Sequence, residues 1–132
     1  MTEAAFEGPG PDVRFREFLA AGELQLQYCA ACAAVTAQMV VLCPSCGAPD
    51  LTWRRASGHG TVYSVTVVRS GPGRDAPYCV ALIDLDEGAR VMSRVEGVAP
   101  DAVHIGMAVV AEVVQPAEGE AYHIFRPAET QA

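Results

Sequence analysis

The sequence predicts a mainly β protein: a short N-terminal helix, a ribbon of strands stapled by a metal ion, and then a five-stranded barrel. Three observations carry that prediction. Four of the five cysteines stand in two C-x-x-C pairs separated by ten residues. Beyond Arg55 the chain runs as short apolar, period-two stretches separated by turn residues. Helical spacing is confined to one brief segment near the start.

Met1 to Pro11 is acidic and rich in Gly and Pro, and reads as a loose start. Between Asp12 and Gly22 the apolar residues Phe15, Phe18 and Leu19 recur at helical spacing, with Asp12 as N-cap and Gly22 as C-terminal stop. That helix is either a strut on its own domain or an element that docks a partner. From Leu24 the period changes to two: Leu24, Leu26 and Tyr28 alternate with Gln25 and Gln27 and lead into Cys29. A second stretch, Met39 to Leu42, runs into Cys43, and a third, Leu51 to Arg55, leaves the second cysteine pair through Trp53. A segment of about thirty residues cannot hold together by burial alone, and four thiols around one ion supply what is missing.

Five further strands are expected at Thr61 to Arg69, Tyr78 to Asp84, Arg90 to Glu96, Met107 to Val114 and Tyr122 to Arg126. Asp84-Leu85-Asp86-Glu87-Gly88 is a hairpin turn, Ser70 to Pro77 a Gly/Pro loop, and Gly97 to Gly106 a connection with little helical patterning. About seventy residues in five such strands fit an OB-fold. The domain plan is a tail and amphipathic helix over 1–23, a metal ribbon over 24–53, the OB-fold over 54–127 and a disordered tail over 128–132.

Charge and composition narrow the function. With 51% hydrophobic and 19% charged residues, the 132-residue chain is no collagen-like repeat, long coiled coil or disordered tail. A formal charge of -7 works against the counterion release that drives non-specific nucleic-acid binding. All nine basic residues are Arg, so Schiff-base chemistry and a lysine phosphate anchor are excluded. No apolar run reaches the roughly 18 residues of a membrane span, and the thiol usage suits a reducing, cytoplasmic setting.

Cys29-Ala30-Ala31-Cys32 and Cys43-Pro44-Ser45-Cys46 can wrap one tetrahedral ion at thiolate–metal distances of about 2.3 Å. Zinc suits four thiolates in a structural site; iron in a rubredoxin-like site uses the same ligands. Four protein ligands leave no open position for substrate. Gly47 follows the second pair, whereas Ala33 stands at the matching place after the first. Cys79 lies in an apolar strand with no His or Arg beside it and reads as a buried thiol. His59, His104 and His123 lack a shared metal spacing, and Asp84, Asp86 and Glu87 belong to a turn, so no catalytic set is expected. Gly71-Pro72-Gly73-Arg74 is a weak anion candidate. Arg90, Met92 and Arg94 share one face of a strand, either as a solvated face or as a site for phosphate or carboxylate, which Arg54, Arg55 and Arg69 join only if the fold brings their strands near.

The order of "GELQLQYCAAC", "CPSCGAPDLTW", "SGHGTVYSVTVV", "APYCVALIDLDEGARVMSRVEG" and "IGMAVVAEV" after an amphipathic helix closely resembles a family of zinc-ribbon OB-fold proteins. That family was first filed as a domain of unknown function and is now seen as thiolase-associated acyl-CoA accessory subunits. The resemblance spans about Val13 to Pro127, with departures at Ala33, at His59, where a basic residue often precedes G-T-V, and at Cys79, where Val is common. It implies a rubredoxin-like ribbon on Cys29, Cys32, Cys43 and Cys46, an OB barrel and no catalytic residues. It further implies a hetero-oligomer with a thiolase-fold enzyme subunit in steroid, lipid or related acyl-CoA metabolism, with acyl-CoA as a ligand and neither nucleic acid nor membrane as a partner. Within that reading Arg90, Arg94, Phe15, Phe18 and Leu19 are the expected partner or CoA contacts, the last three because they exceed what a small ribbon core needs. The alternative is a free-standing OB-fold module that binds a ligand or nucleic acid; an electron-transfer ribbon would need iron.

Overall fold

A computed structural model describes residues 8–69 and 76–128. The helix α1 (Pro11–Ala20) opens on Gly10 rather than Asp12. Pro11 takes the first helical position, where its fixed φ and missing N–H cost nothing, and Asp12 sits one residue further in, favourably placed against the helix dipole. Gly22 does stop the helix. At φ +86° it lets its own N–H reach Leu19 O (2.9 Å) and the Glu23 N–H reach Phe18 O (2.8 Å), the double closure of a Schellman motif.

Three strands form the ribbon: β1 (Gln25–Cys29) at the centre, β2 (Val35–Thr36) on one side and β3 (Leu51–Arg55) on the other, all antiparallel. The segment Met39–Leu42, expected to run into its cysteine as β1 does, is not a strand. Gln27 explains why. Its carboxamide is buried and takes both backbone groups of Val40: Nε2–H donates to Val40 O (2.9 Å) and Oε1 accepts from Val40 N–H (3.0 Å). One side chain thus replaces a neighbouring strand, and it needs no ladder partner on either side.

The remaining strands are β4 (His59–Val68), β5 (Tyr78–Leu85), β6 (Arg90–Ser93), β7 (Ala108–Val114) and β8 (Tyr122–Pro127), ordered β6-β5-β4-β7-β8. A bulge at Tyr63 between Val62 and Ser64 curves β4 so that it can pair with β5 along its length and with β7 at its start. The expected strand to Glu96 divides. Its ladder with β5 ends at Ser93, after which the chain turns to β8 and makes a parallel bridge: Phe125 N–H donates to Arg94 O and Glu96 N–H to Phe125 O, each at 2.8 Å. That bridge closes the barrel and removes two open edges. Inside lie Val62, Ile83, Val109 and Phe125. Gly60 allows the closest approach: a Cβ there would stand 2.7 Å from Ile83 Cγ2 and 2.8 Å from Asp84 O.

Helix α1 lies across both parts. Leu19 is in the core, Phe15 meets the His123 ring of β8 edge-on (centroids 6.2 Å), and Phe18 packs on Trp53 of β3 (5.2 Å). Among the described residues no helix is long and apolar enough to cross a membrane.

Candidate metal centre and surrounding surfaces

Two turns of the same shape bring the cysteines together. In the first, Cys29 N–H donates to Ala34 O (2.9 Å) and Ala33 N–H to Cys29 O (2.8 Å); in the second, Cys43 N–H donates to Ala48 O (2.9 Å) and Gly47 N–H to Cys43 O (2.8 Å). Both turns need a left-handed residue at the fifth place. Gly47 supplies it at φ +80°, and Ala33 adopts it at φ +67°, the only non-glycine residue with positive φ among the described residues.

The four sulfurs lie within 4.8 Å of one another, and the Cys29–Cys46 and Cys32–Cys43 pairs are each 3.6 Å apart. Bonds of about 2.3 Å in a tetrahedron put ligand sulfurs about 3.8 Å from each other, whereas a disulfide needs about 2.05 Å. The spacing therefore fits one ion and no disulfide. Cys29 and Cys43 are buried, Cys32 and Cys46 exposed, so the centre sits at the edge of the ribbon.

Electrostatics favour the same reading. Backbone N–H groups of Cys46 and Ser45 flank the Cys43 thiol and, against its burial, bring its pKa down to about 6. The Ala34 backbone N–H favours the Cys32 thiolate too, but burial and the three neighbouring thiols outweigh it and push Cys32 up to about 12. Cys46 is also raised: burial and the thiols of Cys29 and Cys43 outweigh the Ala48 N–H. Four crowded sulfurs cannot all ionise beside one another without a cation. A divalent ion removes that conflict, and the donor set is the soft, closed kind that holds a structural metal.

The other residues singled out in the sequence fall in separate places. Cys79 is 1% exposed, its thiol facing Val95 O and N at 3.4 Å. Gly71-Pro72-Gly73-Arg74 lies outside the described residues. Arg90, Met92 and Arg94 do share the outer face of β6 and its continuation. Arg90, however, is already engaged: it pairs with Asp84 (Nε–Oδ1 2.5 Å) and stacks over Tyr63 (3.5 Å), and the bond to Arg90 holds the Asp84 carboxyl below its ordinary range. Arg94 stacks over Tyr78 at 4.1 Å. Arg54 lies on the ribbon over Tyr28, and Arg69 pairs with Asp101, so neither joins that face. The helix residues expected to spill beyond the ribbon's needs do not. Phe15, Phe18 and Leu19 are taken up by His123, Trp53 and the core, because α1 serves the barrel as well as the ribbon.

Two features escaped the sequence reading. Buried Gln27 looked like the polar side of a strand, and Ser93 with His123 lie on different strands thirty residues apart. Nothing local marks either one.

The model of the ChsH2 C-terminal OB-fold domain matches residues 53–114. A Thermomonospora curvata protein named probable enoyl-CoA hydratase alpha subunit is 38% identical over 110 residues, covering 82% of this chain and 34% of the relative. A DUF35 domain-containing scaffold protein of Methanocaldococcus jannaschii is 36% identical over 87 residues, covering 63% of this chain and 62% of the relative. The chain thus spans about a third of the length of the first (34%) and under two thirds of the second (62%). Among solved structures, a chain of the Ltp2-ChsH2(DUF35) aldolase superposes with a TM-score of 0.80 at 33% identity, over 92% of this chain and 96% of that one.

Proposed function

Because the chain belongs to the DUF35 family, we propose that it is a non-catalytic accessory subunit of a thiolase-fold enzyme, thiolase or retro-aldolase, that makes or breaks a carbon–carbon bond beside a CoA thioester. The observation that carries this reading is the likeness, over 92% of this chain, to a chain of the Ltp2-ChsH2(DUF35) aldolase. The name of the hydratase alpha subunit supports acyl-CoA as the substrate class.

The chain's own chemistry agrees with a subordinate role. Ser93 and His123 are the described serine and histidine that stand closest to a nucleophile–base pair. Ser93 Oγ stands 3.1 Å from the His123 carbonyl oxygen, which can only accept, and 2.9 Å from Nδ1. The backbone carbonyl thus competes with the imidazole for the single serine proton, and the pair lies at the seam between two strands. Cys79 is buried against backbone. The bond-making groups are therefore assigned to the partner.

Zinc is the ion proposed for Cys29, Cys32, Cys43 and Cys46, with iron the lesser fit, since a redox-inert metal matches a site that only staples. When bound it supplies positive charge that keeps the thiolates ionised and fixes the two turns. Free thiols and such a centre suit the cytoplasm. Arg90 and Arg94 are proposed to face the partner or the CoA thioester, while Phe15, Phe18 and Leu19 seat α1 on the ribbon and the barrel.

Co-expression with a thiolase-fold subunit, followed by size-exclusion and an acyl-CoA cleavage assay, tests the proposal. Co-elution and activity of the pair alone are expected. Cleavage by the isolated chain, or a partner fully stable and active without it, would overturn the reading in favour of a free-standing ligand-binding module.

A further inference from the structure

We infer that the outer face of β5 and β6, centred on Arg94, is the surface on which this chain meets its protein partner, and that the partner presents there a carboxylate set in apolar surroundings. The inference rests on the subunit reading above and adds where the contact lies and what it is made of. Strand β5 is apolar on both sides up to Ile83, and the one acidic residue of its outer face, Asp84, is paired with Arg90. Cys79, Ala81, Ile83 and Leu85 face the core, yet the outward Tyr78, Val80 and Leu82 are not the polar residues that a water-facing strand carries. Met92, paired across from Leu82, is 66% exposed. Apolar residues on the second face of a strand are what is found where both faces become covered.

Charge identifies the cover. The chain holds sixteen acidic and nine basic residues, so carboxylates outnumber arginines. Arg16, Arg69, Arg90 and Arg126 each have one, in Asp12, Asp101, Asp84 and Glu112. Among the described residues Arg94 has none, and neither do Arg14, Arg54 and Arg55, but Arg94 is the one of these that stands on the apolar outer face of β5 and β6, its guanidinium carbon 4.1 Å from the centre of the Tyr78 ring. It borders an open groove of about 570 Å³ with Tyr78, Val80, Met92 and Ser93. One guanidinium on apolar and aromatic ground is the composition of an interface centre. A phosphate-bearing ligand would call for more than one donor group, and the other arginine of the face, Arg90, is neutralised by Asp84.

The test uses Ltp2 as the probe, with hydrogen exchange and titration of the zinc-loaded full chain. Protection over 78–84 and 90–95 on complex formation is expected, with Arg94→Glu weakening the affinity about tenfold or more and Arg14→Glu, the same charge change on α1, leaving it unaltered. A complex protected elsewhere and indifferent to Arg94→Glu overturns this surface and leaves the subunit reading standing. Failure of the wild-type chain to bind Ltp2 counts against the subunit reading itself and the inference falls with it. A wild-type dimer dissolved by Arg94→Glu would mean that a second copy covers the face, and displacement of Arg94 signals by inorganic phosphate would mean a small anion; either result overturns the inference.

Discussion

One hydroxyl closes the barrel seam: Ser93 Oγ lies 2.9 Å from His123 Nδ1 and 3.1 Å from the carbonyl oxygen of the same residue. Phe15 and Phe125 cover the imidazole edge-on, so it sits where a charge is poorly solvated. Burial holds the His123 pKa below its ordinary 6.5.

That environment sets a pH dependence. With the folded value depressed, the unfolded chain takes up the proton first, and the native state loses stability as pH falls through about 6.5 toward the folded value, then no further. Melting temperatures from pH 7.5 to 5 should therefore decline in the wild type and decline less in His123→Gln. Ser93→Ala should cost about 1–3 kcal/mol at neutral pH, since it strands two partly buried polar groups of His123.

Metal dependence is the sharpest expectation. Elemental analysis should find one zinc per chain, and Cys43→Ala should hold less and melt far lower. Chelation that leaves the melting curve of the wild type unchanged would remove the metal from the account of its stability.

Ala33→Gly should raise stability by roughly 0.5–1 kcal/mol, because it relieves a left-handed alanine at some cost in unfolded-chain freedom. Gly47→Ala imposes the converse strain on the matching turn, where nothing lies within 4 Å of the added carbon, so conformation alone is measured. Thermal melts of the two zinc-loaded variants should move in opposite directions.

Gly60→Ala should destabilise by about 1–3 kcal/mol through overpacking. The new methyl group meets the Asp84 carbonyl, which belongs to a strand paired on both sides and cannot retreat. Urea midpoints compare it with wild type.

Much of this was legible in the residues. Cysteine spacing located the four sulfurs because C-x-x-C is a local geometry, and period-two patterning located the barrel strands because burial on one face writes itself into alternation. Gln27 was illegible since its value comes from Val40, thirteen residues away in sequence and beyond β2. The packing of Phe15 and Phe18 on His123 and Trp53 was illegible for a related reason: helical spacing shows that a face is apolar and says nothing of what lies beneath it. Asp12 lost the cap to Gly10 because Pro11 starts the helix one residue earlier.

Helix α1 has one aromatic ring against the barrel at His123 and the next against the ribbon at Trp53, one turn apart on a rigid rod. The Gln115 side chain adds a tie to its last turn at Ala20 O (2.7 Å). A strap fastened at both ends leaves no slack for the two parts to swing, so a disturbance at the cysteines is felt at the far wall. Withdrawing a single ion from the rim should then disorder residues that never touched it, and the molecule should come apart in one step instead of two.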